Sequence, residues 1–261
     1  MKVKGNKHNQ LSFSVTDSHV HIGQFNDFYF SPEFVVETLR KVGVSRWIVS
    51  STSSIENNYD KVKNEFKKII DIAPLESYPA LWVTPEMLNK SPDLNFFFNE
   101  INYYAIKIHG VANTWYPYRK NLNIVFEIAK KRNIPIILHT GGQKQTYASA
   151  YGSICSKHST VKVILAHGRP LDEAISIINA NSNVFVDISF MSVENVDTLI
   201  HSVNPEKILF GTDFPMDLIF YQNESIIDRY KNRLDSLISS IGLENFYKIS
   251  NLNIEQLFFK K

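Results

Sequence analysis

The sequence predicts an α/β fold closed into a (β/α)8 barrel, and three observations carry that prediction. Short apolar runs alternate with helical patterns eight times along the 261 residues. The runs are almost continuously apolar, as strands are when a parallel sheet is covered on both faces. Polar residues with chemistry to offer stand at the ends of strands spread over the whole chain, and only a closed sheet gathers such ends into one mouth. An open doubly wound sheet is the rival fold. It would leave those ends at opposite edges, and no Gly-x-Gly-x-x-Gly run follows the first strand to support it.

Taken in order, the first strand alternates through Phe13-Ser14-Val15-Thr16 and ends in Asp17-Ser18-His19-Val20-His21-Ile22-Gly23, where Gly23 supplies a bend. Ser31-Pro32-Glu33 then opens a helix with a capping hydroxyl, a first-turn proline and an acid near the positive dipole end. Gly43 ends that helix before the strand Trp47–Ser50, a polar loop over 51–58 and a second helix stopping before Pro74. Tyr78–Val83 and Tyr104–Gly110 read as the third and fourth strands, with 85–100 helical in part. The remaining strands are Ile134–Gly142, Val161–Gly168, Val184–Ser189 and Lys207–Pro215. Helices are expected over 124–129, from Pro170 and over 193–203, a helix or long loop over 143–158, and two closing helices over 221–241 and 243–259. No repeat, low-complexity linker or boundary interrupts residues 1–261, which read as one domain.

Composition bounds the function. Hydrophobic residues make up 44% of the chain, enough for a substantial core. Lysine and arginine number 28 against 26 acids, a net charge of +2 that gives no reason to expect a nucleic acid or an acidic membrane as partner. Cys155 is the lone cysteine, which excludes an intrachain disulfide framework. No apolar run of signal-peptide length follows the basic Met1–Lys7, and none is long enough to span a membrane. The expectation is a cytoplasmic protein acting on a small molecule, with homo-oligomerisation left open.

His19 and His21, two apart on a strand, point the same way, and two neutral imidazoles side by side are half of a transition-metal site. His139, His167 and Asp213 also fall at strand ends just before glycine or proline turns. Imidazoles with a carboxylate suit a borderline divalent ion such as Zn²⁺. Water held by such an ion becomes a nucleophile near neutral pH, with Asp213 placed to ligate, to take a proton, or both. Asp17 is assigned to supporting hydrogen bonds. His8, His158 and His201 lie in terminal or helical context and read as solvated. Trp82, Trp115, Tyr116 and Tyr118 are candidates for walling a planar substrate or for plain packing, and Arg169 for pairing with a substrate carboxylate or with a neighbouring acid.

Asp17–Gly23, Ile137-Leu138-His139-Thr140-Gly141, Val163–Gly168 and Phe210-Gly211-Thr212-Asp213-Phe214-Pro215 resemble, in order, the metal motifs of the amidohydrolase superfamily of TIM barrels. The nearest branch is the amidohydrolase-related group of small barrels, which holds decarboxylases and lactone hydrolases. The segment Phe246–Phe258 is similar to that group's closing helix. The resemblance implies that His19, His21, His139 and Asp213 bind one metal. It makes His167 a general acid/base in a one-metal site or a ligand of a second metal. Lys107, on the fourth strand, then either bridges two ions as a carboxylated lysine or orients substrate together with His109 and Arg169. One Zn²⁺ is the reading adopted. The expected activity is metal-dependent hydrolysis of an amide, ester or lactone bond, with Asp213 and His167 moving protons. Non-oxidative decarboxylation on the same barrel is the alternative, and a non-catalytic small-molecule-binding barrel is the reading from another class.

Overall fold

The computed structural model describes residues 13–116, 120–221 and 224–259. Nine strands follow one another in chain order: β1 (Val15–Phe25), β2 (Phe28–Phe30), β3 (Val44–Ser51), β4 (Ser77–Trp82), β5 (Ala105–Ile108), β6 (Ile136–His139), β7 (Val163–Ala166), β8 (Val184–Asp187) and β9 (Ile208–Leu209). From β1 through β3 to β9 every neighbour is parallel, and sequence order is spatial order. Ser18 N–H donates to Phe210 O at 2.9 Å and His21 N–H to Phe214 O at 2.7 Å, so the last strand returns to the first. The eight parallel strands are those expected of the (β/α)8 TIM barrel. β2 is an addition: the turn at Asn26, with φ of 50°, folds it back antiparallel on β1, so β1 runs past Gly23 to Phe25.

Local chemistry places the helices as expected. In Pro32–Lys41 the Ser31 side chain accepts from Phe34 N–H, Pro32 starts the first turn and Arg40 and Lys41 occupy the last. The segment 85–100 yields two short helices, Pro85–Lys90 and Asn95–Phe98, and 143–158 yields two single turns followed by Gly152–Lys157. At the C-terminus the helix Ile226–Tyr247 starts later than expected and kinks at Gly242, whose φ of 79° no helix can hold. Two wide turns, Lys248–Leu252 and Glu255–Phe259, then complete the chain. None of the described helices is long and apolar enough to cross a membrane.

Two layers of core result. The large one lies between strands and helices, around Trp47, Phe66, Phe126 and Leu199. The small one fills the barrel at its N-terminal end: Ile48, Ala80, Ala105, Ile137, Ile164 and Leu209 point inward and are covered from below by Ile254 and Phe258. One expectation fails here. His158 is buried rather than solvated, with Nε2 3.0 Å from Asn123 Oδ1, Nδ1 3.2 Å from Glu127 Oε1 and its ring against Phe126. The helix before it ends at Lys157, and the chain turns His158 under its neighbour instead of outward.

Candidate metal centre

A side-chain period of two carries several inward apolar residues of the barrel base to polar ones toward the opposite end. Ala105 leads to Lys107, Ile137 to His139, Phe185 to Asp187 and Leu209, by way of Gly211, to Asp213. Gly211 leaves room there, since a Cβ would lie 3.0 Å from His19 Cβ and 3.2 Å from Asp187 Cβ, closer than side chains ordinarily pack. On β1 the register slips between Asp17 and Val20, and His21 then faces Ser50 on β3.

The result is a tight group of donors. His19 Nε2 and His21 Nε2 are 3.2 Å apart, and Asp213 Oδ1 lies 3.0 Å from the first and 2.8 Å from the second. Lys107 Nζ is 2.8 Å from His19 Nε2. His167 Nε2 is 4.0 Å from Asp213 Oδ2, and one ligand atom from each of His19, His167 and Asp213 falls within 4.8 Å of the others. His139 joins through His167: its Nδ1 is 3.1 Å from His167 Nε2, and its ring stacks on that of His109 at 3.7 Å. All five residues expected at the metal, with Lys107 and His109, thus meet in one place, although the tightest group takes in His167 ahead of His139.

Two of these residues have unusual backbones. His167 and Asp213 have φ of 69° and 63°, a left-handed conformation that costs a non-glycine residue about 1–3 kcal/mol. For His167 the purpose is visible. Ala166 points into the barrel, so a regular strand would turn His167 outward, and the left-handed step returns it to the mouth. Hydrogen bonds hold both: His167 N–H donates to Asp187 Oδ1 at 3.2 Å, and Asp213 N–H donates to His19 O at 2.9 Å. Asp17 braces the same region, accepting from His19 N–H, from the N–H and hydroxyl of Thr212 and from the Tyr230 hydroxyl. Burial raises the Asp17 carboxyl to about 6 against the pull of those donors.

Electrostatics suit a cation. Burial lowers His21 to about 4 and His167 to about 4, each against the pull of Asp213, and pushes His139 well below the usual imidazole range. These rings are therefore neutral at physiological pH and have lone pairs to give. Burial also brings Lys107 down to about 8 and His109 to about 3. For Asp213 burial acts upward, but His19, His21 and His167 around it outweigh that and hold the carboxyl well below its ordinary range. The donor set, two imidazole nitrogens and one carboxylate oxygen, all buried and within 3.2 Å of one another, fits a divalent transition-metal ion.

The donors open into a cavity of about 490 Å³. Its walls include Phe25, Trp82, Phe190 and Phe220, with Arg169 at the rim. The Arg169 guanidinium lies 5.9 Å from the Phe190 ring and makes one long contact, 3.5 Å, to Phe190 O. Trp82 does wall the cavity, with its N–H donating to Asn113 Oδ1 at 2.9 Å. Trp115 instead is fully buried and donates to Val83 O, so its role is packing. Tyr116 is half-buried, His201 is exposed, and His8 and Tyr118 lie outside the described residues. Sequence reasoning missed three polar residues: Asp187 Oδ2 is 3.1 Å from His19 Nδ1, Ser189 Oγ is 2.8 Å from His167 Nδ1, and Ser50 Oγ is 3.0 Å from His21 Nδ1. Asp187 and Ser189 had a signal, since they too end a strand.

A metal-type site at the C-terminal mouth of a parallel barrel defines a class, and comparison with known proteins agrees with it. The amidohydrolase family model matches residues 99–258. The chain belongs to that family. No curated protein matches it by sequence. Among solved structures, an uncharacterized TIM-barrel protein from Bordetella bronchiseptica has a TM-score of 0.72 at 14% identity, covering 94% of this chain and 98% of that one. A probable 2-pyrone-4,6-dicarboxylic acid hydrolase from Acinetobacter baumannii, with citric acid bound, scores 0.70 at 12% identity over 94% of this chain and 99% of that one. A dihydroxybenzoic acid decarboxylase from a Polaromonas species, with bound manganese and an inhibitor, scores 0.68 at 13% identity over 94% and 96%. The family and these neighbours support an enzyme, a hydrolase or decarboxylase dependent on a divalent metal.

Proposed function

We propose that this chain is a hydrolase of a small-molecule amide, ester or lactone bond, with one divalent ion, Zn²⁺, at the barrel mouth. The observation that carries the reading is the meeting of His19 Nε2, His21 Nε2 and Asp213 Oδ1 within 3.2 Å at the head of an open cavity. His19, His21 and Asp213 would hold the ion, with His139 as fourth ligand. The ion, when bound, supplies a Lewis acid and makes water nucleophilic at neutral pH. His167, neutral and 4.0 Å from Asp213, accepts a proton from the attacking water and returns it to the leaving group, and Asp213 shares that proton traffic. Lys107 and His109 orient the substrate from the fifth strand of the sheet. Arg169 pairs with a substrate carboxylate at the rim, while Trp82 and Phe190 confine a flat body. The protein works in the cytoplasm in this reading.

Two variants of the reading have an observation behind them. The aromatic walls with Arg169 at their edge also suit decarboxylation of an aromatic acid, the substrate type of the manganese-bearing Polaromonas neighbour. The buried Lys107 amine, 2.8 Å from His19 Nε2, suits a carboxylated bridge between two ions, with His167 on the second. The test is metal content of the purified chain, followed by a panel of lactones, aryl esters, amides and aryl carboxylates with and without chelator. Metal-dependent bond cleavage without CO₂ release is expected, with one Zn²⁺ per chain. Two ions per chain would favour the bridge, CO₂ release would favour the decarboxylase, and failure to bind Zn²⁺ or Mn²⁺ would overturn all of these and leave the binding barrel.

A further inference from the structure

We infer that one carboxylate, Asp187, fixes the Nδ1 proton of both the His19 and the His167 ring, the second by way of the Ser189 hydroxyl. The inference rests on the metal-centre reading for its purpose, but its geometry belongs to the chain alone. Asp187 is buried and accepts from four donors. On Oδ2 it faces His19 Nδ1 at 3.1 Å, and on Oδ1 it accepts from the N–H of His167 at 3.2 Å, the N–H of Ser189 at 3.0 Å and the Ser189 hydroxyl. A carboxylate can only accept, so His19 bears a proton on Nδ1 toward Asp187, and its Nε2, 3.0 Å from the Asp213 carboxylate, is the nitrogen left to face a cation.

For His167 the same logic passes through one more atom. A hydroxyl has a single proton, and Ser189 gives it to Asp187, so toward His167 Nδ1, 2.8 Å away, its oxygen accepts. The Ser189 carbonyl, 3.3 Å from the same Nδ1, can also only accept. His167 therefore bears its proton on Nδ1 and a lone pair on Nε2. That lone pair points at His139 Nδ1, 3.1 Å away, which must then donate and leaves its own Nε2 free. His167 and His139 thus acquire the tautomer that a ligand or a general base needs, and His19 keeps its Nδ1–H turned away from the site. Asp187 also holds the left-handed backbone of His167 through its N–H, so one residue fixes ring proton and ring position together. Asp187 and Ser189 are positioning residues: they act on the reaction through His19 and His167.

Long-range ¹H–¹⁵N spectra of the metal-free full chain at pH 7.5, with ¹⁵N-labelled histidine assigned through His19→Gln and His167→Gln, read the tautomers directly. The parent should show Nδ1–H at both rings. Ser189→Ala should turn His167 into a tautomer mixture while His19 keeps its signature, and Ser189→Thr should restore His167. Asp187→Asn should disturb both rings and weaken Zn²⁺ binding about 10- to 100-fold, read by competition with a chromophoric chelator. An Nε2–H tautomer at His167 in the parent, or an unchanged His167 in Ser189→Ala, would overturn the inference, and the second variant decides even if Asp187→Asn fails to fold. A parent chain that shows both tautomers but binds no Zn²⁺ would instead sink the metal-centre reading and leave the tautomer assignment standing.

Discussion

The two ends of the barrel are built from the same inward-pointing rows, yet they hold opposite chemistry. At the N-terminal end the row is Ile48, Ala80, Ala105, Ile137, Ile164 and Leu209, closed below by Ile254 and Phe258. Two residues along, Ile48, Ala80, Ala105 and Ile137 give way to Ser50, Trp82, Lys107 and His139, Phe185 beside them leads to Asp187, and Leu209 leads past Gly211 to Asp213, while Ile164 is followed by the apolar Ala166. Both ends are buried, so solvent exposure does not distinguish them. What differs is how burial is compensated. Apolar side chains gain from leaving water, about 1.5–3 kcal/mol for a large one. Buried imidazoles and carboxylates lose hydration and must recover it from one another or from a bound cation. The base therefore stabilises the fold, and the mouth draws on that stability to hold a cation site and the left-handed backbones of His167 and Asp213.

The sharpest way to break this contrast is a pair of crossed variants. His19→Ala/His21→Ala should abolish metal binding, a loss beyond the ~100-fold that removing an outer partner causes, while the thermal midpoint of the metal-free chain stays near the parent's. Metal content after dialysis and a thermal scan in chelator would check both halves. Stoichiometric metal in that double variant would refute the site. Phe258→Ala should do the reverse. Removing a ring that is 5% exposed at the barrel base should cost about 3–5 kcal/mol in urea unfolding, with metal stoichiometry unchanged in the folded protein. Equal sensitivity of metal binding to both variants would mean that the ends are not separable.

The contrast also explains what could be read from the sequence. Strand ends are visible because apolar runs stop at glycine or proline turns, and His19, His21, His139, His167 and Asp213 all carried that mark. Their convergence followed once the strands were taken as a closed sheet. Three things were out of reach for physical reasons. His167 stands one residue after an inward-facing Ala166, so strand periodicity would point it outward; only its φ of 69° brings it in. The roles of Asp187 and Ser50 depend on which strand lies beside which, and on distances of about 3 Å that spacing along a chain does not encode. The plug made by Ile254 and Phe258 depends on the kink at Gly242 and the wide turns after it, where helical periodicity breaks down.

A smaller effect sharpens the comparison on the mouth side. Glu65, in the helix Tyr59–Ile72, is buried beneath the loop after β3 and accepts from the hydroxyls of Ser51 at 2.5 Å and Ser53 at 2.8 Å. Ser53 in turn accepts from Gln24 N–H at 2.8 Å, so the carboxyl anchors this loop to the end of β1. Burial raises Glu65 above the ordinary carboxylate range despite both serines. The folded state then keeps its proton to higher pH than the unfolded one. Its contribution to stability is accordingly full below the ordinary carboxylate range and declines as pH rises through the raised value. Glu65→Gln keeps the shape and one acceptor and removes the titration. At pH 7 it should unfold within about 1 kcal/mol of the parent, and the parent's relative stability should improve as pH falls through the carboxylate range. Urea unfolding of both proteins at several pH values measures that difference. A difference that does not vary with pH would mean that the Glu65 carboxyl is as well solvated in the fold as in the unfolded chain, and that polar burial at the mouth does not reach past the metal-type cluster.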